Sequence, residues 1–305
     1  MNYIEINQAI QSYSENTESL FVENIPTFVK EAEKRIYNSV QLPSLRKNVT
    51  GAMAANNKYV ALPNDWLSTY SIAVIDSTGR YEYLLNKDVN FIRQSYPTPT
   101  STGLPRYYSI FGSQVSEINE MSIILGPTPD STYTMELHYF YYPESIVQGT
   151  ITGLGTINGG SGYTDGTYYN VPFSGGSGSG ATATVVISSG IVTQVTISNP
   201  GSFYAIGDSI TIASSYIGIS GSAFSTTVTN ISNANGTSWL GDNYDPVLFY
   251  GAMREAVIFM KGEQDMVTYY EKMFQDALGQ LKRLGDGLER GDAYRDGQTK
   301  LRVTT

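Results

Sequence analysis

GSGYTDGTYYNVPFSGGSGSGATATV, residues 160–185, carries one charged side chain, Asp165, among glycine, serine, threonine and tyrosine. Whether it is a linker or a folded unit decides the architecture of the chain. The low charge extends well beyond it: from 148 to 238 there is no Lys, Arg or Glu, and Asp208 is the only other charged residue. The stretch also repeats. Gly160, Ser161, Tyr163 and Gly166 recur 41 residues later as Gly201, Ser202, Tyr204 and Gly207. ATATVVIS and IVTQVTIS, separated by Ser-Gly, follow the first copy, and SITIAS and FSTTVTNIS follow the second. Alternating Val, Thr and Ile around Ser-Gly turns is a hairpin pattern, so the segment reads as two related β units rather than a linker. Strands satisfy their backbone groups against one another, and Ser and Thr supply a polar outer face, so such a module stays soluble with few ions. Few ions also mean little desolvation when it meets another surface, which suits an inserted interaction module.

Working outward, both ends of the chain have helical periodicity. Ile6, Ala9, Ile10 and Tyr13 share a face, and Thr17 is placed to cap a short segment through Phe21. Pro26 suits a first helical position, followed by Val29, Ala32, Ile36 and Val40 at spacings of three and four. At the other end Asp245 reads as an N-cap with Pro246 as first helical residue, and Leu248, Ala252, Glu255 or Ala256, and Phe259 mark a face that Gly262 interrupts. A second helix follows with Met266, Tyr270, Met273, Ala277, Leu281 and Leu284, ending at Gly285. Neither pair can bury its stripe alone, so 1–45 and 240–287 are expected to pack as one helical bundle.

Between 46 and 147 the period is two. SIAVID, RYEYLL, RYYSIF, MSIIL and YTMELHYFYY are bounded by Gly, Pro, Asn or Asp, as in an antiparallel β domain. The expected class is therefore α+β: a terminal-helix bundle, an antiparallel β domain at 46–147, an inserted β module at 148–238 and a flexible tail at 288–305. That tail mixes Arg290, Arg295, Lys300 and Arg302 with acids and has no apolar period, so it reads as unordered until it meets a partner.

Composition narrows the functions. The net charge of −9 argues against a protein that coats nucleic acid. No apolar run approaches the ~20 residues of a membrane span, and MNYIEINQAIQSYSEN lacks the basic start and apolar stretch of a secretory signal. Without cysteine there is no thiolate chemistry, and with His138 as the sole histidine neither a multi-histidine metal site nor a histidine triad is expected. GGSGSG at 175–180 lacks the Lys of a phosphate loop and reads as a hairpin loop. Asp242 with Asp245, and Asp286 with Glu289, sit at helix ends, where capping explains them better than carboxylate catalysis. No catalytic, cofactor or metal residue is expected. Tyr163, Tyr168, Tyr169, Tyr204 and Tyr216 are the candidate surface-binding aromatics of the module.

Several phrases carry a resemblance. LPNDWLSTYSIAVIDSTGRYEYL (62–84), GLPRYYSIFGSQ (103–114), IILGPTPDSTYTMELHYFYYP (123–143) and YDPVLFYGAMREAVIFMKGEQDMVTYYEKMFQDALGQL (244–281) resemble, in order, segments of the head-to-tail adaptor proteins of tailed phages, particularly the tubular ring proteins of short-tailed phages. Residues 148–238 depart from that pattern and resemble the Gly/Tyr-rich β modules of other phage structural proteins. The resemblance implies a virion protein at the head–tail junction, made in the host cytoplasm. It would form a homo-oligomeric ring of twelve subunits between the portal protein and the tail nozzle protein. Double-stranded DNA would pass through without sequence-specific binding, an acidic balance suiting a channel to which DNA must not stick. Portal contact would fall to the tail, with Leu288, Arg290, Tyr294, Arg295, Lys300 and Arg302 as its residues. The alternative reading is a phage tail or fibre-docking structural protein that acts through the module, its tyrosines docking tail fibres or a glycan.

Overall fold

The computed structural model describes residues 1–98, 100–112, 121–218 and 222–300, with 286–300 as backbone only. The chain is α+β and divides into two compact units: Met1–Val40 with Glu144–Gly287 form one, and Gln41–Pro143 is the body of the other.

The first unit opens with helix α1, Tyr3–Ser14. The Asn2 side chain accepts the Glu5 N–H (3.0 Å) and the Glu5 carboxylate accepts the Asn2 N–H (2.9 Å), a reciprocal cap. Helix α2 spans Ser19–Ser39 and contains Pro26, which therefore does not begin a helix, and Glu18 rather than Thr17 precedes it. The reason is the stripe of Phe21, Ile25, Phe28, Val29, Ala32 and Ile36, all buried and lying on both sides of the proline. Burying that continuous face, at roughly 1.5–3 kcal/mol per large side chain, outweighs the ~3 kcal/mol of an interior proline.

The second unit holds β1 (Arg46–Met53), β2 (Tyr59–Ala61), β3 (Trp66–Ile75), β4 (Tyr81–Tyr83), β5 (Leu85–Asn86), helix α3 (Val89–Ser95), β6 (Tyr107–Phe111), β7 (Ser122–Gly126) and β8 (Tyr133–Tyr141). They make two four-stranded sheets, β1-β8-β3-β4 and β2-β7-β6-β5. Every pairing is antiparallel except β5 with β6. The alternation expected in 133–142 places Met135, Leu137 and Tyr139 in the core with Met53, Ile72, Val74, Ile123 and Leu125. Strand β1 is an open edge, with six consecutive exposed residues from Lys47 to Ala52.

The chain returns to the first unit through β9 (Thr150–Leu154), β10 (Gly166–Ser174), β11 (Ser179–Ser188), β12 (Ile191–Ser202), β13 (Ser209–Ile212), the single turn α4 (Ser214–Ile217) and β14 (Ser225–Ser232). These strands form one antiparallel sheet ordered β12-β11-β10-β13-β14-β9. Its two end strands approach each other: Val192 N–H donates to Gly159 O (3.0 Å) and Phe203 N–H to Gln148 O (2.8 Å). The sheet thus curls nearly into a barrel around Val171, Phe173, Ala183, Val185, Ile210, Ile212, Phe224 and Val228.

Helices α5 (Trp239–Asn243), α6 (Asp245–Phe259) and α7 (Gln264–Lys300) as far as Gly287 complete the unit. Asp245 is the first residue of α6 and Tyr244 its cap, so Asp245 does not fill the N-cap role read from sequence; Pro246 still falls in the first turn. A Cβ on Gly251 of α6 would meet Ala32 Cβ at 2.9 Å and the Phe274 ring at 3.1 Å, so α2, α6 and α7 converge where only glycine fits. Beside this contact Arg35, Glu255, Arg254 and Glu271 link the same three helices as an ion network, with Arg35 Nη2 2.8 Å from Glu255 Oε1. Helix α7 does not stop at Gly285: its backbone runs helically to Lys300, about 55 Å in all at 1.5 Å per residue. Each of Gly285, Gly287, Gly291 and Gly297 costs only ~1 kcal/mol relative to alanine, and the Leu, Glu, Arg, Ala and Gln between them favour helix. The segment read as an unordered tail thus has a helical backbone from 288 to 300.

Candidate functional site

The repeated Gly-Ser-x-Tyr phrase is a structural corner used twice. Gly160 and Gly201 have φ of 63° and 62°. A Cβ on either would collide with a backbone carbonyl, that of Ser222 or Ser179, and would stand 2.8 Å from the ring of the tyrosine three residues on. Tyr163 N–H donates to Gly190 O (3.1 Å) and Tyr204 N–H to Gly149 O (3.0 Å), donors and acceptors alike being one repeat length apart. The Tyr163 hydroxyl accepts Phe224 N–H (2.6 Å), and that of Tyr204 accepts Ala181 N–H. Tyr163 and Tyr204 therefore plug the barrel at 7% and 3% exposure and are not surface-binding aromatics. A ring that must cover a glycine and reach a backbone N–H cannot also face solvent.

The strand order carries the same symmetry. With β9, β10 and β11 as one repeat and β12, β13 and β14 as the other, β12-β11-β10-β13-β14-β9 reads identically when the repeats are exchanged. Strand β11 of the first repeat pairs with β12 of the second, and β14 of the second pairs with β9 of the first. Neither repeat closes by itself.

Both acids of the module are used internally. Asp165 Oδ1 accepts Gly190 N–H (2.7 Å). Asp208 Oδ2 accepts from Ala205 N–H (2.9 Å), Ser177 N–H (2.9 Å) and Ser177 Oγ (2.7 Å). The Ala205 amide foremost, and then Ser177, hold the Asp208 carboxyl below its ordinary value. The GGSGSG loop thus binds an anion, but one supplied by the chain itself.

A neck joins the module to the helices of the same unit. Asn233, at φ 43°, donates through Nδ2 to Ser145 O and Thr237 O (both 2.8 Å), while its N–H donates to Glu144 Oε1 (2.9 Å). Glu33 of α2, 3% exposed, accepts Ile146 N–H (2.8 Å) and is hydrogen-bonded to Ser145. Burial pushes its carboxyl up to about 7, against the opposing pull of Ser145, Ile146 and then Lys30. Sequence reading passed over Glu33 in a charged run, although it lies four residues after Val29 and three before Ile36, on the apolar stripe.

Of the remaining candidate aromatics, Tyr169 is 74% and Tyr216 53% exposed, while Tyr168 is half-buried against the barrel core with its hydroxyl on Thr164 O (3.0 Å). The structure does not gather the five tyrosines into one site. His138 lies on β8 beside Glu136 (3.3 Å), which also accepts from Asn48 (2.7 Å), a cross-strand polar trio. Among the described residues there is no group of three or more His, Cys, Asp or Glu that could hold a metal, and no helix long and apolar enough to cross a membrane. The side chains of Leu288, Arg290, Tyr294, Arg295 and Lys300, and Arg302 entirely, lie outside the described residues.

A family model described as SU10 adaptor protein matches residues 1–159. That stretch takes in α1, α2, all of Gln41–Pro143 and the first stem of the neck, and ends at the residue before the first glycine corner. The chain belongs to the SU10 adaptor protein family. This makes it a phage adaptor, a structural and not a catalytic kind of protein, associated with other head or tail proteins of the virion. No curated protein matches the chain. The glycine corners, most of the barrel and α5–α7 lie beyond the matched stretch of the adaptor.

Proposed function

We propose that this adaptor forms the ring that joins the portal protein to the tail nozzle and surrounds the DNA exit channel. The observation that carries the reading is the family match across both the α1–α2 helices and the whole of Gln41–Pro143. The helices add support, because Leu20 (64% exposed), Met266 (45%) and Tyr269 (54%) leave apolar side chains uncovered on one subunit. A ring of the family's twelve subunits would cover such residues. The far end of α7 and residues 288–305 would meet the portal. The net charge of −9 suits a channel through which DNA slides without holding.

Mixing the protein with its portal and imaging the product by electron microscopy tests the reading. A ring added beneath the portal is the expected result; bare portals beside folded monomers would overturn it. A variant lacking 288–305 should fold and no longer join the portal, and undiminished joining would sink the assignment of that segment.

A second role concerns the barrel, which would dock a tail fibre or a glycan. Tyr169 and Tyr216 favour it, exposed aromatics on a surface almost free of ions. Loss of fibre or glycan binding on Tyr169→Ala with the ring intact is the result expected.

A further inference from the structure

The neck is the only described place where an ionisable side chain of the bundle holds the backbone of the module's stem from a buried position. Glu33 does so through Ile146 N–H at 2.8 Å and through Ser145, and is itself 3% exposed. The groups facing it are few. On its own helix Lys30 is half-buried, and its amine is pushed down chiefly by burial and then by Lys34, with Glu33 pulling the other way. From α1 the neighbour is the phenol of Tyr3, whose ionisation Glu33 opposes. Helix α6 buries only apolar side chains and glycine, while its Arg254 and Glu255 are engaged with Arg35 of α2 and Glu271 of α7. Strands β11 and β12 carry no ion at all. On the stem, Glu144 is committed to Asn233 N–H. Among the described residues, a carboxylate buried here has a single half-buried cation nearby and no ion pair to hold its charge.

We propose that Glu33 is a proton-operated latch on the neck, holding the stem of the barrel to α2 when protonated and loosening it as it ionises. With the neck closed the carboxyl is held up at about 7, whereas an opened neck returns it to water and its ordinary value of 4.5. Between those values the closed form binds the proton and the open form does not, so opening becomes easier as pH rises and levels off above about 7. The latch is therefore tight in acid and loosened at neutrality, opposite to the behaviour of a salt-bridged acid. Asn233, Gln148 (Nε2 to Ala234 O, 2.9 Å) and Gly149 (N–H to Ser232 O, 3.2 Å) still tie the two stems to each other, so the first stem loosens from α2 without the barrel unfolding. The device stands apart from the ring reading and holds whether or not the adaptor meets a portal.

Hydrogen exchange of the full chain, followed by mass spectrometry from pH 5 to pH 7.5 and corrected for intrinsic rates, tests it. Protection of 144–148 should fall at least tenfold across that range, while α2 and α6 stay constant. In Glu33→Gln, which keeps an acceptor for Ile146 but cannot ionise, protection of 144–148 should be independent of pH. The same fall in both proteins would overturn the latch, as would wild-type protection that stays flat or a fall shared equally by the helices. The wild-type profile decides alone if the variant fails to fold.

Discussion

The two β regions are written in the same alternating Val, Ile, Thr and Tyr, yet one stays open and the other closes. In Gln41–Pro143 two sheets share a core and β1 is left as an edge; its protection comes from side chains, Lys47 reaching Asp65 at 2.6 Å. In the barrel the end strands find each other, and glycine corners with a tyrosine over each do the work that ions do elsewhere. Alternation specifies a strand, but closure needs residues that let the backbone turn sharply at fixed intervals. Stability should accordingly be concentrated at the corners in one region and spread over the core in the other.

The severest test of that contrast is Tyr204→Ala, which empties a corner. We expect a loss of about 3–5 kcal/mol, seen as early loss of exchange protection in 150–232 while 46–143 holds. Equal loss in both regions would remove the distinction. Gly201→Ala should cost about 1–3 kcal/mol in the same assay, from a strained backbone and the collision with Ser179 O; Gly79→Ala, at φ 83° in open space, should cost less. Asp208→Asn sharpens the comparison further. Because the carboxyl is depressed, its contribution is present above the ordinary value of 3.8 and is lost as pH falls through the folded one. Solvent exposure limits it to below ~1 kcal/mol at pH 7, and the variant's melting temperature should depend less on acid than the parent's. The smallest effect belongs to Val49→Thr on the open edge, within ~0.5 kcal/mol by thermal melting.

Much of this was legible. The interval between Tyr163 and Tyr204 in the sequence reappears as the interval between their backbone bonds to Gly190 and Gly149. The Ser-Gly turn at 189–190 joins β11 to β12 as read, with φ of 57° and 73°. What local pattern could not convey was which side of a wall a tyrosine faces. Tyr163 and Tyr204 precede their strands, where alternation has no phase, so their burial depends on a strand from the other repeat. Pro26 misled for a related reason: a local rule about proline was overridden by the Phe21–Ile36 stripe that tertiary packing rewards. Glu33 was hidden because its partner, Ile146, lies 113 residues away.

The exchange of strands between repeats bears on how such a barrel is inherited. A solenoid gains or drops one unit and merely changes length. Here the loss of one copy would strip a strand from the other and bare two edges, so intermediate copy numbers are closed to descent. The module should pass between lineages whole, lifted out at a neck whose two stems already lie side by side on Asn233.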